Sequence, residues 1–345
     1  MNERKKRKFI FHICIFMAIM LLTFWSVFHN EDFTKIMNSV HKMSKPYIVL
    51  AILLAIFFVA AEGCMICYLL KGIGEKTSLF RCISYSFIGF FFSGITPSAT
   101  GGQPMQLYYM KKDGNSLATS SVVLMTVAVI YKFVLVLIGI MILLFWRNPL
   151  RAYLKGYYWL YCFGLFLNIS LVIILLFVMF SPEVIKMILY KIEGILVRIK
   201  ILKKSDTRRE KLNHFLSGYQ ETVVFIKTHK KLIATTLICT FIQRFSVFVL
   251  TYVVYRGLGL SGSSMIDIIL VQASIYIAVD MLPVPGAQGI TEAMYYAVFG
   301  KIFLRKYLTA SLCITRGISF YLLMVISLAI LCIRVLRKNR IVEEN

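Results

Sequence analysis

The hydrophobic positions of this chain fall into long continuous runs. Six runs are long enough to cross a bilayer as helices, each of which needs about 20 predominantly apolar residues. The six runs are Phe9–Phe28, Tyr47–Leu70, Leu117–Phe145, Tyr157–Phe180, Leu232–Tyr255 and Tyr307–Ile333. This pattern predicts an all-α polytopic membrane protein.

Two shorter apolar runs, Phe80–Ile95 and Met265–Leu282, lead directly into segments rich in Pro and Gly. The first such segment is Ser93–Pro104 and the second is Leu282–Glu292. Irregular backbone cannot face lipid, because its polar groups find no water there; it must pack inside protein or line a wet cavity. One interrupted segment in each half of a polytopic chain is typical of a transporter's binding site.

The basic residues predict an orientation. Lys and Arg cluster at residues 4–8 and 334–340, and twelve lie within 181–231, so all three regions are expected in the cytoplasm. Threading the chain through these points makes both interrupted segments re-entrant hairpins that enter from opposite faces. The predicted architecture is a single domain, residues 1–345, with inverted-topology repeats at about 47–145 and 232–333. An amphipathic cytoplasmic linker at about 181–231 joins the repeats.

Composition and charge narrow the function classes. Hydrophobic residues make up 59% of the chain and charged residues 16%, and no nucleotide-binding, metalloprotease or hydrolase motif is present. The net charge of +23 lies in loops and tails beside apolar runs, which indicates contact with anionic lipid headgroups and not with nucleic acid. The cysteines, including Cys64 and Cys67, are interpreted as packing residues, and no metal site or cofactor is expected. The predicted location is the plasma membrane, with several passes and both termini cytoplasmic.

One ionisable residue lies inside the apolar run of each repeat helix: Glu62, Lys132, Arg244 and Arg316. A charge at the bilayer centre costs about 2.5–3.5 kcal/mol on insertion scales, so such residues are expected to pair or to face a polar cavity. Three of the four are cations. This surplus suggests an anionic ligand, and a phosphate group suits the planar guanidinium of Arg. The alternative is structural: Glu62 and Asp280 each pair with one cation, and the third extends towards the interface.

The interrupted segments offer polar groups that suit the same ligand. A helix that restarts near Pro104 or Gly289 would direct its N–H groups at a phosphate. Glu292 would lie in the first turn of the second helix, where it either caps the helix or serves as a ligand or proton carrier. Asp280 is either a proton-coupling carboxylate or a partner for an arginine. The remaining candidates for the polar lining are Thr96, Thr100, Gly101, Gly102, Gln103, Gly286 and Gly289.

Residues 96–106 and 283–292 resemble the two signature segments of the flippase-like transmembrane family. This family is the membrane region of lysylphosphatidylglycerol synthases, the multiple peptide resistance factor proteins, and Arg316 also resembles one of its features. The resemblance implies a bacterial plasma-membrane protein that handles a phospholipid or another lipid-phosphate. In full-length relatives a cytoplasmic domain transfers lysine from lysyl-tRNA. The chain stops at Asn345 without that domain, so we expect no lysyltransferase activity.

Three functions follow as hypotheses. The first is a flippase that moves a phospholipid, lysylphosphatidylglycerol or another lipid-phosphate, with the phosphate held by Arg244, Arg316 and Lys132. The second is a membrane scaffold or accessory subunit of a lipid- or glycan-modifying enzyme. An intramembrane enzyme is disfavoured, because no nucleophile–base pair is visible. The expected partner is membrane phospholipid; a homo-oligomer and a separate lipid-modifying enzyme both stay open.

Overall fold

The computed structural model describes residues 37–38, 40–41, 43–96, 99–198, 206–284, 287 and 289–343. Within these residues the regular structure is helical, without a strand. Five of the helices in this part of the chain are long and apolar enough to cross a membrane. The prediction of an all-α polytopic membrane protein is therefore confirmed. The first predicted run, Phe9–Phe28, lies outside the described residues.

We label the helices in chain order. They are α1 (Lys45–Gly72), α2 (Leu79–Ile95), α3 (Gly102–Lys112), α4 (Leu117–Phe145), α5 (Arg147–Leu154), α6 (Tyr158–Phe180), α7 (Pro182–Arg198), α8 (Asp206–Thr228), α9 (Lys230–Gly257), α10 (Met265–Val279), α11 (Ile290–Phe299), α12 (Arg305–Arg316) and α13 (Leu323–Glu343). A 3₁₀ turn, Lys155–Tyr157, joins α5 to α6, and a π-helix, Gly317–Leu322, joins α12 to α13.

The long helices follow the apolar runs closely. Helix α4 coincides with its predicted run, and α1 and α9 each extend two residues beyond theirs at both ends. These extensions begin at Lys45 and Lys230, whose long side chains can lay their methylene groups along apolar surface while the charge stays in water. The last helix continues beyond its apolar run, through the basic tail, to Glu343.

Both predicted interruptions are present. Helix α2 ends at Ile95 and α3 begins at Gly102, whereas α10 ends at Val279 and α11 begins at Ile290. Each half of the described chain thus has the same order: a long helix, a short helix, a break, a short helix and a long helix. The inverted orientation of the two halves and the depth of the breaks in the bilayer remain predictions.

Close backbone contacts hold the short helices in place. Helix α1 packs along α9, α2 packs against both α1 and α13, and α10 packs against α6, α9 and α4. A Cβ added to Gly63 of α1 would lie 2.5 Å from the Cα of Ile83 in α2. One added to Gly164 of α6 would lie 2.5 Å from the carbonyl oxygen of Ile277 in α10. Small residues let membrane helices approach in this way, so the first arm of each interrupted segment is fixed against a long helix.

The linker forms two helices, α7 and α8. Tyr219, Val223 and Ile226 of α8 are buried in an apolar cluster that includes Val122 of α4. This packing joins the linker to the first half of the chain.

Candidate functional site

The six ionisable residues named above divide into three cations and three carboxylates: Lys132, Arg244, Arg316, Glu62, Asp280 and Glu292. The four residues inside the repeat helices, three cations and one carboxylate, carry a surplus of positive charge. With the two carboxylates beside the second break the group is formally neutral. The structure joins four of these residues into two ion pairs, and the other two have neutral neighbours.

The first ion pair joins Lys132 of α4 to Asp280, the residue directly after α10. The side chains of Lys132 and Asp280 are 16% and 10% exposed. The ammonium group also donates to Asn168 Oδ1 of α6 at 3.4 Å and lies 3.4 Å from the sulfur of Met281. The backbone N–H of Asp280 donates to the carbonyl of Tyr276, so the carboxylate lies at the carboxyl end of α10. The pair therefore ties the start of the second break to helices α4 and α6.

The second ion pair joins Glu292 of α11 to Arg316 at the end of α12. Glu292 Oε1 accepts a hydrogen bond from Arg316 Nε at 2.8 Å, and Oε2 accepts one from the Gly289 N–H at 2.6 Å. The φ angle of Gly289 is 81°, a left-handed conformation that glycine adopts without steric cost. Glu292 thus takes the first of the two alternatives left open for it, the capping of α11, and also binds an arginine. The Arg316 guanidinium lies over the ring of Phe320, 5.1 Å from its centroid.

Among the described residues, Arg244 of α9 is the largest fully buried side chain, with 0% exposure. Its Cζ lies 3.1 Å from the ring centroid of Tyr131, 5.1 Å from that of Tyr276 and 5.5 Å from that of Phe58. Among the residues that the structure describes, none accepts a regular hydrogen bond from its three guanidinium nitrogens. Aromatic faces attract cations, so these rings offset part of the cost of burial.

Glu62 of α1 accepts a hydrogen bond from Gln106 of α3 at 2.6 Å. Gln106 is buried and packs against Gly89 of α2, where a Cβ would collide with its amide. This carboxylate is therefore tied to the second arm of the first interrupted segment, and within the described contacts it makes no ion pair. Its prediction as a partner for a cation is not met in this arrangement.

The first break is held by its own polar groups. Thr96 Oγ1 donates to the carbonyl of Phe92 at 2.7 Å and accepts from the Gly101 N–H at 2.8 Å. The Gly101 N–H is therefore engaged within the segment and does not face a ligand. Gly102 packs against the Gly89 carbonyl, which a Cβ would approach to 2.8 Å. These glycines bring the two arms of the segment together.

Apart from Gly289, the remaining predicted lining residues are exposed or lie outside the described residues. Thr100 in the first break and Gln103 in the first turn of α3 are exposed. Gly286, predicted in the second break, lies outside the described residues, as do Pro97, Ser98 and Pro285. The structure therefore places Thr96, Gly101 and Gly102 in packing roles and leaves Thr100 and Gln103 at the surface of the segment.

The two interrupted segments are linked through the last helix. Phe320 of the π-helix directly follows the Arg316 turn and lies 6.4 Å from Phe90 of α2, ring centroid to ring centroid. A Cβ at Gly94 of α2 would lie 2.6 Å from the sulfur of Met324. Phe320 thus touches Arg316 on one side and α2 on the other.

Sequence reasoning missed several residues of this site. Asn168 is buried at 0% exposure within an apolar run, and that polar position is a signal that the sequence does offer. Tyr131 and Tyr276 are ordinary aromatic residues of apolar helices, so nothing in the sequence separates them from packing residues. Their hydroxyl oxygens lie 3.4 Å apart.

A further cluster lies at the base of the first interrupted segment. Asp113, just after α3, forms an ion pair with Arg334 of α13 and accepts a hydrogen bond from the Tyr85 hydroxyl at 2.6 Å. Arg334 also donates to Ser84 Oγ at 2.7 Å. A separate contact joins α11 to α5: Lys301, two residues after the end of α11, donates to the carbonyls of Ala152 and Tyr153.

With this geometry in place, comparison with known proteins assigns the family. Residues 10–327 match the family model described as the lysylphosphatidylglycerol synthase transmembrane region. The chain belongs to this family. The match spans both helix breaks and all six ionisable residues, and it confirms the resemblance drawn from residues 96–106 and 283–292.

A UPF0104 membrane protein of Pyrococcus horikoshii is also similar to this family member. The two are 27% identical over 289 residues, which is 80% of this chain and 83% of the relative. The similarity therefore extends over most of both proteins.

Proposed function

We propose that this family member moves a phospholipid, lysylphosphatidylglycerol or another lipid-phosphate, between the leaflets of the plasma membrane. The family takes its name from an enzyme of lysylphosphatidylglycerol, so a lipid with a phosphodiester headgroup is the natural substrate class. In this proposal both termini are cytoplasmic and the two halves form inverted repeats, with the headgroup crossing between the breaks.

The observation that carries the proposal is the Lys132–Asp280 ion pair at the second break. It lies between apolar helices and retains some exposure, 16% and 10% for the two side chains. A buried ion pair rarely repays its desolvation through stability alone, so replacing it with apolar residues is often neutral or stabilising. A headgroup phosphate offers Lys132 an anionic oxygen in place of the carboxylate. In this proposal Arg244, which is fully buried, and Arg316, which is 14% exposed, supply further positive charge to the headgroup.

The test is headgroup translocation by the purified full chain in proteoliposomes. Fluorescently labelled phosphatidylglycerol and lysylphosphatidylglycerol are loaded into both leaflets, and dithionite then bleaches the label that reaches the outer leaflet. We expect faster bleaching of at least one lipid than in protein-free liposomes. Lys132→Gln and Asp280→Asn should each slow it by about tenfold or more, equivalent to about 1.4 kcal/mol in the barrier.

Lys301→Gln is the matched control, because it also removes a lysine that donates to oxygen atoms, but its partners are the carbonyls of Ala152 and Tyr153 in α5 and not a residue of either break. It should translocate lipid like the wild type. Absence of lipid movement with either probe would reject the flippase proposal and favour the scaffold. Movement that is insensitive to Lys132→Gln and Asp280→Asn would reject this site as the path.

A further inference from the structure

Arg244 is buried in an arrangement that leaves its hydrogen-bonding capacity unused. The side chain is fully buried, and no described residue accepts a regular hydrogen bond from Nε or either terminal nitrogen. An unpaired buried charge is costly, and breaking a buried pair by removing one partner destabilises strongly. Stacking on Tyr131 and Tyr276 compensates only in part. In a second arrangement, with a carboxylate beside Arg244, the guanidinium N–H groups would have an acceptor.

Two carboxylates lie within electrostatic range of Arg244, namely Glu62 and Asp280. Glu62 is held by Gln106 on the side of the first break. Asp280 is held by Lys132. The carboxylate that becomes the partner of Arg244 must be one that can leave its present partner.

The tyrosine pair places Asp280 beside Arg244. Tyr131 directly precedes Lys132 in α4, and its ring lies 3.1 Å from the Arg244 Cζ and 5.8 Å from the Lys132 ammonium. Tyr276 lies one helical turn before Asp280 and also contacts Arg244. Both cations therefore lie near the Tyr131 ring, and the end of α10 contacts both of them, through Tyr276 to Arg244 and through Asp280 to Lys132.

Asp280 is suited to exchange partners because of its position in the chain. It lies at the carboxyl end of α10, where the helix dipole disfavours a carboxylate, so its stability there depends on a cation. Irregular backbone begins directly after it, and the described residues 281–284 belong to no helix. Glu62, by contrast, lies in the middle of the continuous helix α1.

We infer that Asp280 is a carboxylate with two alternative partners, Lys132 without ligand and Arg244 with ligand. The phosphate of a headgroup binds Lys132 and releases Asp280, which then pairs with Arg244 and draws the end of α10 towards α9. The inference rests on the proposed function for its ligand class, a phosphate mono- or diester anion. In this inference Lys132 is the residue that binds the phosphate, and Arg244 is the residue that receives Asp280 afterwards.

A double-mutant cycle in the thermal midpoint, Tm, tests the exchange without any ligand. Arg244→Gln and Asp280→Asn are combined in purified full chain, first with Lys132 intact and then with Lys132→Gln, which frees Asp280 permanently. With Lys132 present the two shifts in Tm should add. With Lys132→Gln they should deviate from additivity by about 2 °C or more, because the two residues are then partners. The same cycle with Lys301→Gln in place of Lys132→Gln should stay additive.

The ligand arm repeats the cycle with Lys132 intact and either dihexanoylphosphatidylglycerol or inorganic phosphate. Non-additivity that appears with the lipid alone identifies a lipid headgroup as the trigger, and non-additivity with both probes identifies phosphate in general. If Lys132→Gln does not yield folded protein, the cycle measured with added ligand is by itself the test of the partner exchange. Equal coupling between Arg244 and Asp280 in every background and with every probe would overturn it.

Failure of the partner exchange can be told apart from failure of the flippase proposal. Lipid movement in proteoliposomes together with an additive cycle in the Lys132→Gln background refutes the partner exchange and leaves the flippase proposal intact. A non-additive cycle in a protein that moves neither lipid supports the exchange and rejects the flippase proposal.

Discussion

Glu292 and Arg316 are 24 residues apart and join the helix that follows the second break to the last membrane helix, with Oε1 and Nε 2.8 Å apart. Both side chains are mostly buried, at 7% and 14% exposure. We expect Arg316→Gln to lower the free energy of unfolding by about 3–5 kcal/mol, because it leaves Glu292 as an unpaired buried carboxylate. Thermal unfolding of the purified protein in detergent measures the change.

The double variant Glu292→Gln/Arg316→Gln should be less destabilised than the sum of the two single variants, since neither charge is then left alone. Glu221→Gln, at an exposed position of α8, is the control and should change Tm little. Additive losses would show that the two side chains are not energetically coupled.

The left-handed conformation of Gly289 provides a second prediction. Gly289→Ala should destabilise the protein by about 1–2 kcal/mol, the cost of that backbone conformation for a residue with a Cβ. Space is not the cause, since among the described residues, apart from the two chain neighbours, no atom lies within 4 Å of the position that the Cβ would take. Gly317→Ala is the matched control: that position is equally open but has φ −53°, and the change should be neutral or slightly stabilising. Equal effects of the two variants in thermal unfolding would contradict this assignment.

The glycine contacts of the short helices provide a third prediction. Gly63→Leu should prevent α1 and α2 from packing, because even a Cβ would lie 2.5 Å from the Ile83 backbone. Gly164→Leu should separate α6 from α10 in the same way. We expect both variants to give little monodisperse protein in size-exclusion chromatography. A Cβ at Gly156 would have no atom of the described residues beyond its chain neighbours within 4 Å, so Gly156→Ala should elute like the wild type.

The cluster around Asp113 fixes the base of the first interrupted segment to α13. Asp113→Asn removes the ion pair with Arg334 and should increase backbone amide hydrogen exchange in α2 and α3, because these arms lose their tether to the last helix. The readout is hydrogen-exchange mass spectrometry of the full chain in detergent.

Arg209→Gln is the control for that experiment. Arg209 pairs with Glu193 at 3.9 Å, but its side chain is 54% exposed, and exposed pairs contribute little. Its exchange profile in α2 and α3 should equal that of the wild type. An unchanged profile in Asp113→Asn would show that the tether does not restrain the segment.

The sequence supplied the helices and their interruptions for a simple physical reason. A run such as Leu117–Phe145 has no alternative to a helix in a bilayer, and Pro and Gly between residues 97 and 104 cannot continue one. The position of Glu292 in the first turn of a helix was also predictable, because it depends only on where the helix starts, but the sequence left its role open between capping and ligand or proton binding.

The pairing of the charges was not predictable. Helices such as α4 and α9 are apolar on all sides, so the sequence does not indicate which face points inward. Lys132 and Asp280 are 148 residues apart, and only the packing of α4 against α10 brings them together. The same ambiguity hid Tyr131 and Tyr276, whose contacts with Arg244 depend on the rotation of three helices.

The π-helix Gly317–Leu322 has a geometric consequence for the two arginines on either side of it. Arg316 and Arg334 are 18 residues apart, about five full turns of a regular α-helix, which would align them along one side. A π-helix winds more widely, with hydrogen bonds from residue i to i+5, and so rotates everything after it about the helix axis. Arg316 can therefore reach Glu292 while Arg334 reaches Asp113 on a different element. Deleting one residue from this turn would restore the regular winding and leave one arginine facing away from its carboxylate.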